Sequence, residues 1–385
     1  MLCAWYAVSG TRTLKTVFHS DLSIVIGKAL PSQTLPAEAV GRLSQGVAFD
    51  QNVCVIEQKS LIGNSPSVYR IYPENCMPQQ PPRFLGSELP IAQPGDCRFH
   101  IIPVPYEASV SYGGGTALGP SAILEASQQL EVWTGRSNPS SQGIYTWPAI
   151  DCRGGAEEVL GRIEEAVADC LELEYSGDQG GSGDQGGGIV PVLLGGEHSV
   201  TLGALRALQK KHGRFGVIQF DAHGDLRDEY EGSRYSHACV MRRAVDDLGL
   251  PLFQIGVRSL SLEEIIIRGE KHINVLDARQ ACFPWPWDGE TSRSLPEALL
   301  PPSFPEKVFL TFDIDALDAS LMPATGTPEP GGLFWWDALN LARHCLAGRR
   351  CLGFDVVELA PIAGMHAPNF TAARLVYELM GCVDG

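Results

Sequence analysis

The sequence predicts an α/β protein of three layers, α/β/α, with helices on both faces of a mostly parallel central sheet. Three observations carry this. From Arg98 onward, short apolar runs alternate with helical patterns, as βαβ crossovers require. Four of the apolar runs end in carboxylates or histidines, and parallel sheets present their ligand groups outside the carboxyl ends of the strands. A chain of 385 residues has length for one large core with an appendage.

The elements follow in order. Phe99 to Val104 reads as a strand, fully apolar apart from His100. Gly119-Pro120 opens a helix through Gln129, because proline in the first turn gives up a donor that has no helical partner. Strands from Gly188 to Leu194 and Phe215 to Phe220 flank a helix from Ser199 to Lys211. Strands at Leu252 to Val257, Lys307 to Phe312 and Cys351 to Val356 follow, with helices over Ser236 to Leu248, Trp335 to Ala347 and Asn369 to Met380. Such near-continuous apolar strands are those buried on both faces.

Residues 1 to about 95 carry no such alternation. They end in a passage from Met77 to Pro94 whose five prolines, Pro78, Pro81, Pro82, Pro90 and Pro94, resist both helix and central strand. The segment 1–95 therefore reads as an N-terminal extension with a linker, and 96–385 as the catalytic domain. Within the latter, Ser176 to Gly188 reads SGDQGGSGDQGGG. That near-duplicated repeat buries too little apolar surface to offset ordering entropy, so 176–188 is expected to be a flexible surface loop.

A net charge of −16 disfavours binding to nucleic acid and favours a small cationic molecule. The 11 cysteines include no CxxC pair and do not resemble a secreted disulfide framework, which fits a reducing cytoplasm. No apolar run approaches the roughly 20 residues of a membrane span. The first ten residues lack a basic n-region and a small-residue cleavage site, while Arg12, Lys15 and the hydroxyls before Asp21 leave an organelle transit segment open.

The chemistry lies at the strand ends. After Gln219-Phe220 come Asp221, His223 and Asp225. While the chain stays extended, residues two apart point to one side, so the three groups converge. Read alone, the triplet fits a solvated strand end as well as a metal site. Three further runs end in Gly195-Gly196-Glu197-His198-Ser199, Asp313-Ile314-Asp315 and Asp355-Val356-Val357-Glu358. Two histidines and four aspartates on one rim supply donors for two divalent ions, which need bridging carboxylates and one open position. Mixed imidazole and carboxylate suits Mn²⁺, Fe²⁺, Ni²⁺ or Zn²⁺ better than Ca²⁺ or Mg²⁺.

These ordered motifs resemble the ureohydrolase family of arginase, agmatinase and guanidinobutyrase. Residues 195–199 resemble its GGDHS element, with Glu197 where Asp is usual, and 221–225 its DAHxD element. Ser236-His237 resembles the downstream histidine; Asp313 to Asp318 with Gly326 to Gly332 resembles SxDxDxxDP…GTGTPxPGG; and 355–358 resembles the element that closes on substrate. The resemblance covers Arg98 to the C-terminus. It implies an arginase-like fold and two Mn²⁺ per chain, His198 and Asp225 on one, His223 and Asp315 on the other, with Asp221 and Asp313 bridging. It further implies that Glu358 holds the substrate guanidinium, that His237 shuttles a proton to the leaving amine, and that the chain assembles as a homo-oligomer, a trimer or hexamer.

The loop from Leu226 to Tyr235 is similar to agmatinase-type members and lacks the Asn and Ser residues with which arginase grips an amino acid head. Agmatine, hydrolysed to putrescine and urea, is the substrate this implies. Asp228, Glu229 and Glu231 fit either a cationic tail or solvated surface charge. A Ni²⁺-dependent hydrolase of free guanidine is the alternative, with Trp335-Trp336 walling a small pocket or simply packing; guanidinobutyrase is another. A metallophosphoesterase is disfavoured by the absence of a Gly-Asn-His element, and a non-catalytic binding homologue by the complete ligand set.

Overall fold

The computed structural model describes residues 82–178, 188–281 and 299–383, together with short strands that precede them. The chain divides into two compact units, Met1–Gln80 and Pro81–Gly385. The first contains one two-stranded and one three-stranded antiparallel sheet. The second carries the predicted chemistry. Its opening stretch does more than link, since Phe84 and Leu85 are buried in its core.

Eight parallel strands form the sheet of the second unit: β1 (Phe99–Val104), β2 (Ile144–Thr146), β3 (Val190–Gly195), β4 (Gly216–Phe220), β5 (Leu252–Ile255), β6 (Asn274–Leu276), β7 (Lys307–Asp313) and β8 (Arg350–Val357). Their spatial order is β6-β5-β4-β7-β8-β3-β1-β2, and every pairing is parallel. Helices α1 (Gly119–Ser127), α2 (Ala156–Leu171), α3 (Thr201–His212), α4 (Val240–Asp246), α5 (Leu262–Glu270), α6 (Ala278–Ala281), α7 (Trp335–Leu346) and α8 (Ala367–Val383) complete it.

Alternate strand residues face opposite layers. Ile218, Phe220, Leu310 and Phe312 pack with α1, α7 and α8. Val217, Phe309 and Leu193 pack with α2, α3 and α4. This is the predicted α/β/α sandwich, and the strand bounds agree with expectation to within two residues at each end. Edge strands β2 and β6 and helices α2, α5 and α6 go beyond the sequence reading. The signal for α2 was present: Val159, Leu160, Ile163, Val167 and Cys170 form one buried stripe at helical spacing. Most of the Gly-rich run, residues 179–187, lies outside the described residues.

Two glycines permit the close packing around the end of β3. Gly196 N donates to Val104 O at 2.8 Å, and Glu197 N to Tyr106 O at 2.9 Å. A Cβ at Gly196 would collide with the Tyr106 carbonyl, and one at Gly195 with Val357 and Val200. Gly196→Ala is expected to cost about 1–3 kcal/mol of stability through this clash. Gly161, with open space around it on α2, should gain roughly 0.5–1 kcal/mol on substitution by Ala. Urea denaturation of both variants reads the two opposite shifts in midpoint.

Candidate metal centre

Strands β3, β8, β7 and β4 are neighbours in that order, so the four polar strand ends share one rim. His198 begins the turn leading from β3 into α3. Asp313 closes β7, and its Oδ1 accepts from Asp315 N at 2.9 Å, folding 314–316 into a 3₁₀ turn that brings the two carboxylates together. Past β4 the Asp221 to Asp225 segment is not extended. His223 N turns back to Asp221 Oδ1 at 2.6 Å, and Asp225 has φ +53°. The triplet converges through a bend and a left-handed residue, because simple alternation would not bring Asp225 back to His198. Glu358, directly after β8, also has a positive φ of +65°. Such conformations cost about 1–3 kcal/mol each and persist where surrounding structure imposes them.

Two clusters result. His198 Nδ1 lies 2.9 Å from Asp225 Oδ2, 3.1 Å from Asp221 Oδ2 and 3.4 Å from Asp313 Oδ2. His223 Nδ1 lies 3.0 Å from Asp315 Oδ2 and 3.6 Å from Asp221 Oδ1. Asp221 thus gives one oxygen to each cluster, as a bridging ligand must. His198, Asp221 and Asp225 form one group that could hold a metal ion and Asp221, His223 and Asp315 the other; Asp313 reaches the first.

A second layer orients these ligands. Thr311 Oγ1 donates to Asp355 Oδ1 at 2.7 Å, so its lone pair accepts from His198 Nε2 at 2.8 Å. That places the ring proton on Nε2 and leaves the Nδ1 lone pair facing three carboxylate oxygens. No hydrogen bond is aligned to this buried nitrogen. An imidazole lone pair aimed among carboxylates is the arrangement a cation between them satisfies. On the other side Gln219 Nε2 donates to Asp221 Oδ2 at 2.7 Å, Gln254 Nε2 to Gln219 Oε1 at 2.6 Å, and Arg268 Nε to Gln254 Oε1 at 2.7 Å. The sequence reading missed Thr311, Asp355, Gln219 and Gln254 as supports. Each is a polar residue inside an otherwise apolar strand, and that was a usable signal.

The electrostatics point the same way. Burial pushes Asp225 up to about 7, with the charge of Asp221 adding to it. Burial, then Asp315 and Asp221, hold Asp313 well above the ordinary carboxylate range. Burial also opposes ionisation of Asp221, but the two imidazoles keep it well below that range. Burial lowers His223, yet Asp315 and Asp221 outweigh it and carry it to about 12. These opposed directions are those of crowded carboxylates that positive charge would relieve. The alignment at His198 Nδ1 shows a ligand's geometry and not a proton donor's, so the residues fit a pair of divalent ions.

Glu358 and His237 line the same cavity. Glu358 Oε1 accepts from His198 N at 2.7 Å; burial and neighbouring Glu197 push its carboxyl well above the usual range. Burial, the largest cause, lowers His237 to about 4. The outer wall brings corrections. Asp228, Glu229 and Glu231 are exposed and do not line the cavity; Asp228 instead bonds Arg243, whose side chain is buried. Arg227 from that loop does line it, 5.3 Å from the Tyr230 ring. Trp336 is exposed and Trp335 packs on the core, so neither walls the site. Ser109 and Ser111, on a segment with no sequence signature, complete the wall.

Asp318, outside the ligand set, accepts from Gly331 N at 2.7 Å and Gly332 N at 3.0 Å and pins that turn. Asp225→Asn is therefore expected to retain fewer than two divalent ions per chain after dialysis, and Asp318→Asn to retain both while losing stability. Elemental analysis distinguishes them; full metal retention by Asp225→Asn overturns the ligand assignment.

The chain matches the arginase family over residues 97–382. It is 39% identical over 314 residues to the N(1)-aminopropylagmatine ureohydrolase of Synechocystis sp., covering 78% of this chain and 94% of that one. It is 30% identical over 299 residues to the agmatinase of Pyrococcus horikoshii, covering 78% and 96%. The solved structure of the agmatine ureohydrolase of Thermoplasma volcanium shares its fold with a TM-score of 0.63 at 26% identity, covering 80% and 96%. Rim, fold and sequence match lead to one conclusion: the chain belongs to the arginase family.

Proposed function

We propose that this chain is a cytoplasmic, Mn²⁺-dependent ureohydrolase of polyamine synthesis whose substrate is a guanidino group on an aliphatic amine tail, agmatine or its N(1)-aminopropyl derivative. The reaction class follows from family membership: a hydrolase acting on guanidino compounds and releasing urea. One observation carries the substrate class. Glu358 presents a carboxylate with a raised pKa to the cavity that holds both ligand clusters, and a guanidinium is the planar cation that compensates such a group.

When bound, the two ions supply activated water at neutral pH and Lewis acidity toward the poorly electrophilic guanidinium carbon. His198, Asp221 and Asp225 would hold one and His223, Asp221 and Asp315 the other, with Asp313 beside His198. Glu358 orients the guanidinium plane over this rim. His237 rests neutral at physiological pH because burial lowers it, so it can take a proton released from the attacking water and deliver it to the departing nitrogen, returning to its neutral form. The amine tail extends toward the outer wall of Ser109, Ser111, Tyr230 and Ser259. A second reading has its own observation: the Arg227 cation on that wall fits a carboxylate tail, as in 4-guanidinobutyrate.

Urea release from agmatine, N(1)-aminopropylagmatine, 4-guanidinobutyrate, free guanidine and arginine, with Mn²⁺ or Ni²⁺ loaded separately, tests the proposal. The expected outcome is preference for the amine-tailed pair with Mn²⁺. Preference for 4-guanidinobutyrate that Arg227→Ala abolishes establishes the second reading, and preference for guanidine with Ni²⁺ overturns both. Glu358→Gln should leave the metal content intact and lower kcat/KM roughly 10²–10³-fold, the kinetic equivalent of about 3–4 kcal/mol, as expected for breaking a buried charge pair. Unchanged kcat/KM would remove Glu358 from substrate binding.

A further inference from the structure

We propose that Glu197 is a positioning residue: through Ser109 it holds the ring proton of His237 on Nδ1 and leaves Nε2 as the atom that exchanges a proton in the reaction. The inference rests on the ureohydrolase reading for its catalytic meaning, but its geometry stands without it.

Glu197 occupies the position where the motif it resembles has Asp. It is 1% exposed and belongs to neither ligand cluster. Its carboxylate meets four donors. Oε2 accepts from Ala108 N at 2.7 Å and Ser109 N at 2.6 Å. Oε1 accepts from Ser109 Oγ at 3.0 Å and Ser199 Oγ at 2.5 Å. Glu197 therefore ties two segments together, the turn at Ala108-Ser109 and its own turn out of β3. A carboxylate one methylene shorter would have to relinquish one side.

The proton assignment follows from counting at Ser109. A hydroxyl has one proton and two lone pairs. The proton goes to Glu197 Oε1, and one lone pair accepts from His237 N at 3.1 Å. The remaining close contact is with His237 Nδ1 at 2.8 Å. Only the ring has a proton left to give there. Were Ser109 to donate to the ring, its lone pair would face Glu197 Oε1 inside the protein, two acceptors with nothing between them. Ser236 Oγ, 3.4 Å from the same nitrogen, is too distant to compete. Nε2 is then unprotonated and accepts from Ser111 Oγ, 2.9 Å away on the cavity wall; the other contact of that hydroxyl, to Tyr230 Oη, is longer at 3.3 Å and is left to the tyrosine's own proton. The arrangement has the logic of a carboxylate that sets a histidine tautomer, with a serine hydroxyl interposed.

The test is ¹⁵N NMR of the full-length chain, labelled at histidine and loaded with diamagnetic Zn²⁺, using long-range ring correlations; loss of signals in His237→Gln assigns the ring. The parent is expected to show His237 with the proton on Nδ1. Ser109→Ala and Glu197→Gln should each move it to Nε2 or to a mixture, and Ser109→Thr, which keeps the hydroxyl, should restore the parent pattern. Both disruptive variants should retain two ions and lose about 10–100-fold in kcat with KM within about threefold. An Nε2-protonated His237 in the parent, or an unchanged tautomer in folded Ser109→Ala, overturns the proposal. Since the tautomer is read without substrate, failure of the parent to release urea from any guanidino compound would sink the functional reading and leave this one standing.

Discussion

Crowded negative charge at the end of one sheet governs this protein. Asp221, Asp225, Asp313 and Asp315, all buried, share a rim with the partly buried Glu358. Like charges at such distances in a low dielectric cannot all ionise without compensation. The chain supplies part of it. Ala222 N donates to Asp315, Asp315 N to Asp313, His198 N to Glu358 and Gln219 to Asp221. These neutral donors fix where each oxygen points without neutralising it. Under the proposed function, two divalent ions and a guanidinium would supply the rest, so the same deficit that makes the rim unstable alone would make it a receptor for cations.

Such a rim needs a scaffold that tolerates strain. Asp225 and Glu358 sit in the left-handed region, and both are anchored by rigid neighbours: Asp225 O accepts from Arg242 N at 3.0 Å, and Glu358 N donates to Gly196 O at 2.8 Å. Arg258 performs a related task for the acidic turn after β7. Its guanidinium donates to the carbonyls of Asp315 at 2.7 Å and Glu329 at 2.8 Å. Parallel strands buried on both faces give these anchors a rigid base. Segments far apart in sequence thereby become neighbours with little freedom to relax.

What the sequence disclosed and what it concealed follow from this division. The rim was legible because a carboxylate or histidine at the end of an apolar run has few bland explanations, and four such ends in one parallel sheet have fewer. The path taken by the Asp221 to Asp225 bend was not legible, since alternation of side chains says nothing about a left-handed residue at Asp225, beyond the end of the strand at Phe220. The supporting layer was half visible. Gln219 and Gln254 interrupt buried strands, and a polar residue there needs a partner whose identity only the strand order reveals. Ser109 left no trace, because its role depends on Glu197, 88 residues further along the chain.

The outer wall obeys a different rule. Ser109 to Ser111, Arg227 and Tyr230, Ser259 to Ser261 and Thr325 to Thr327 come from four separate connections, and although the connections after β4 and β7 also carry cluster residues, none of these wall residues belongs to the clusters. The loop acids that composition nominated for substrate binding turn outward, where Asp228 satisfies the buried Arg243 cation. A basic residue from the same loop faces inward in their place. Charge pattern along a loop therefore does not predict which charges a substrate meets, because a surface segment can present alternate side chains to solvent, to a buried partner or to the cavity. On the proposed function, the rim meets the guanidino group and these connections meet the rest of the substrate. A change of substrate within this architecture thus requires no change in the charge balance that holds the rim together.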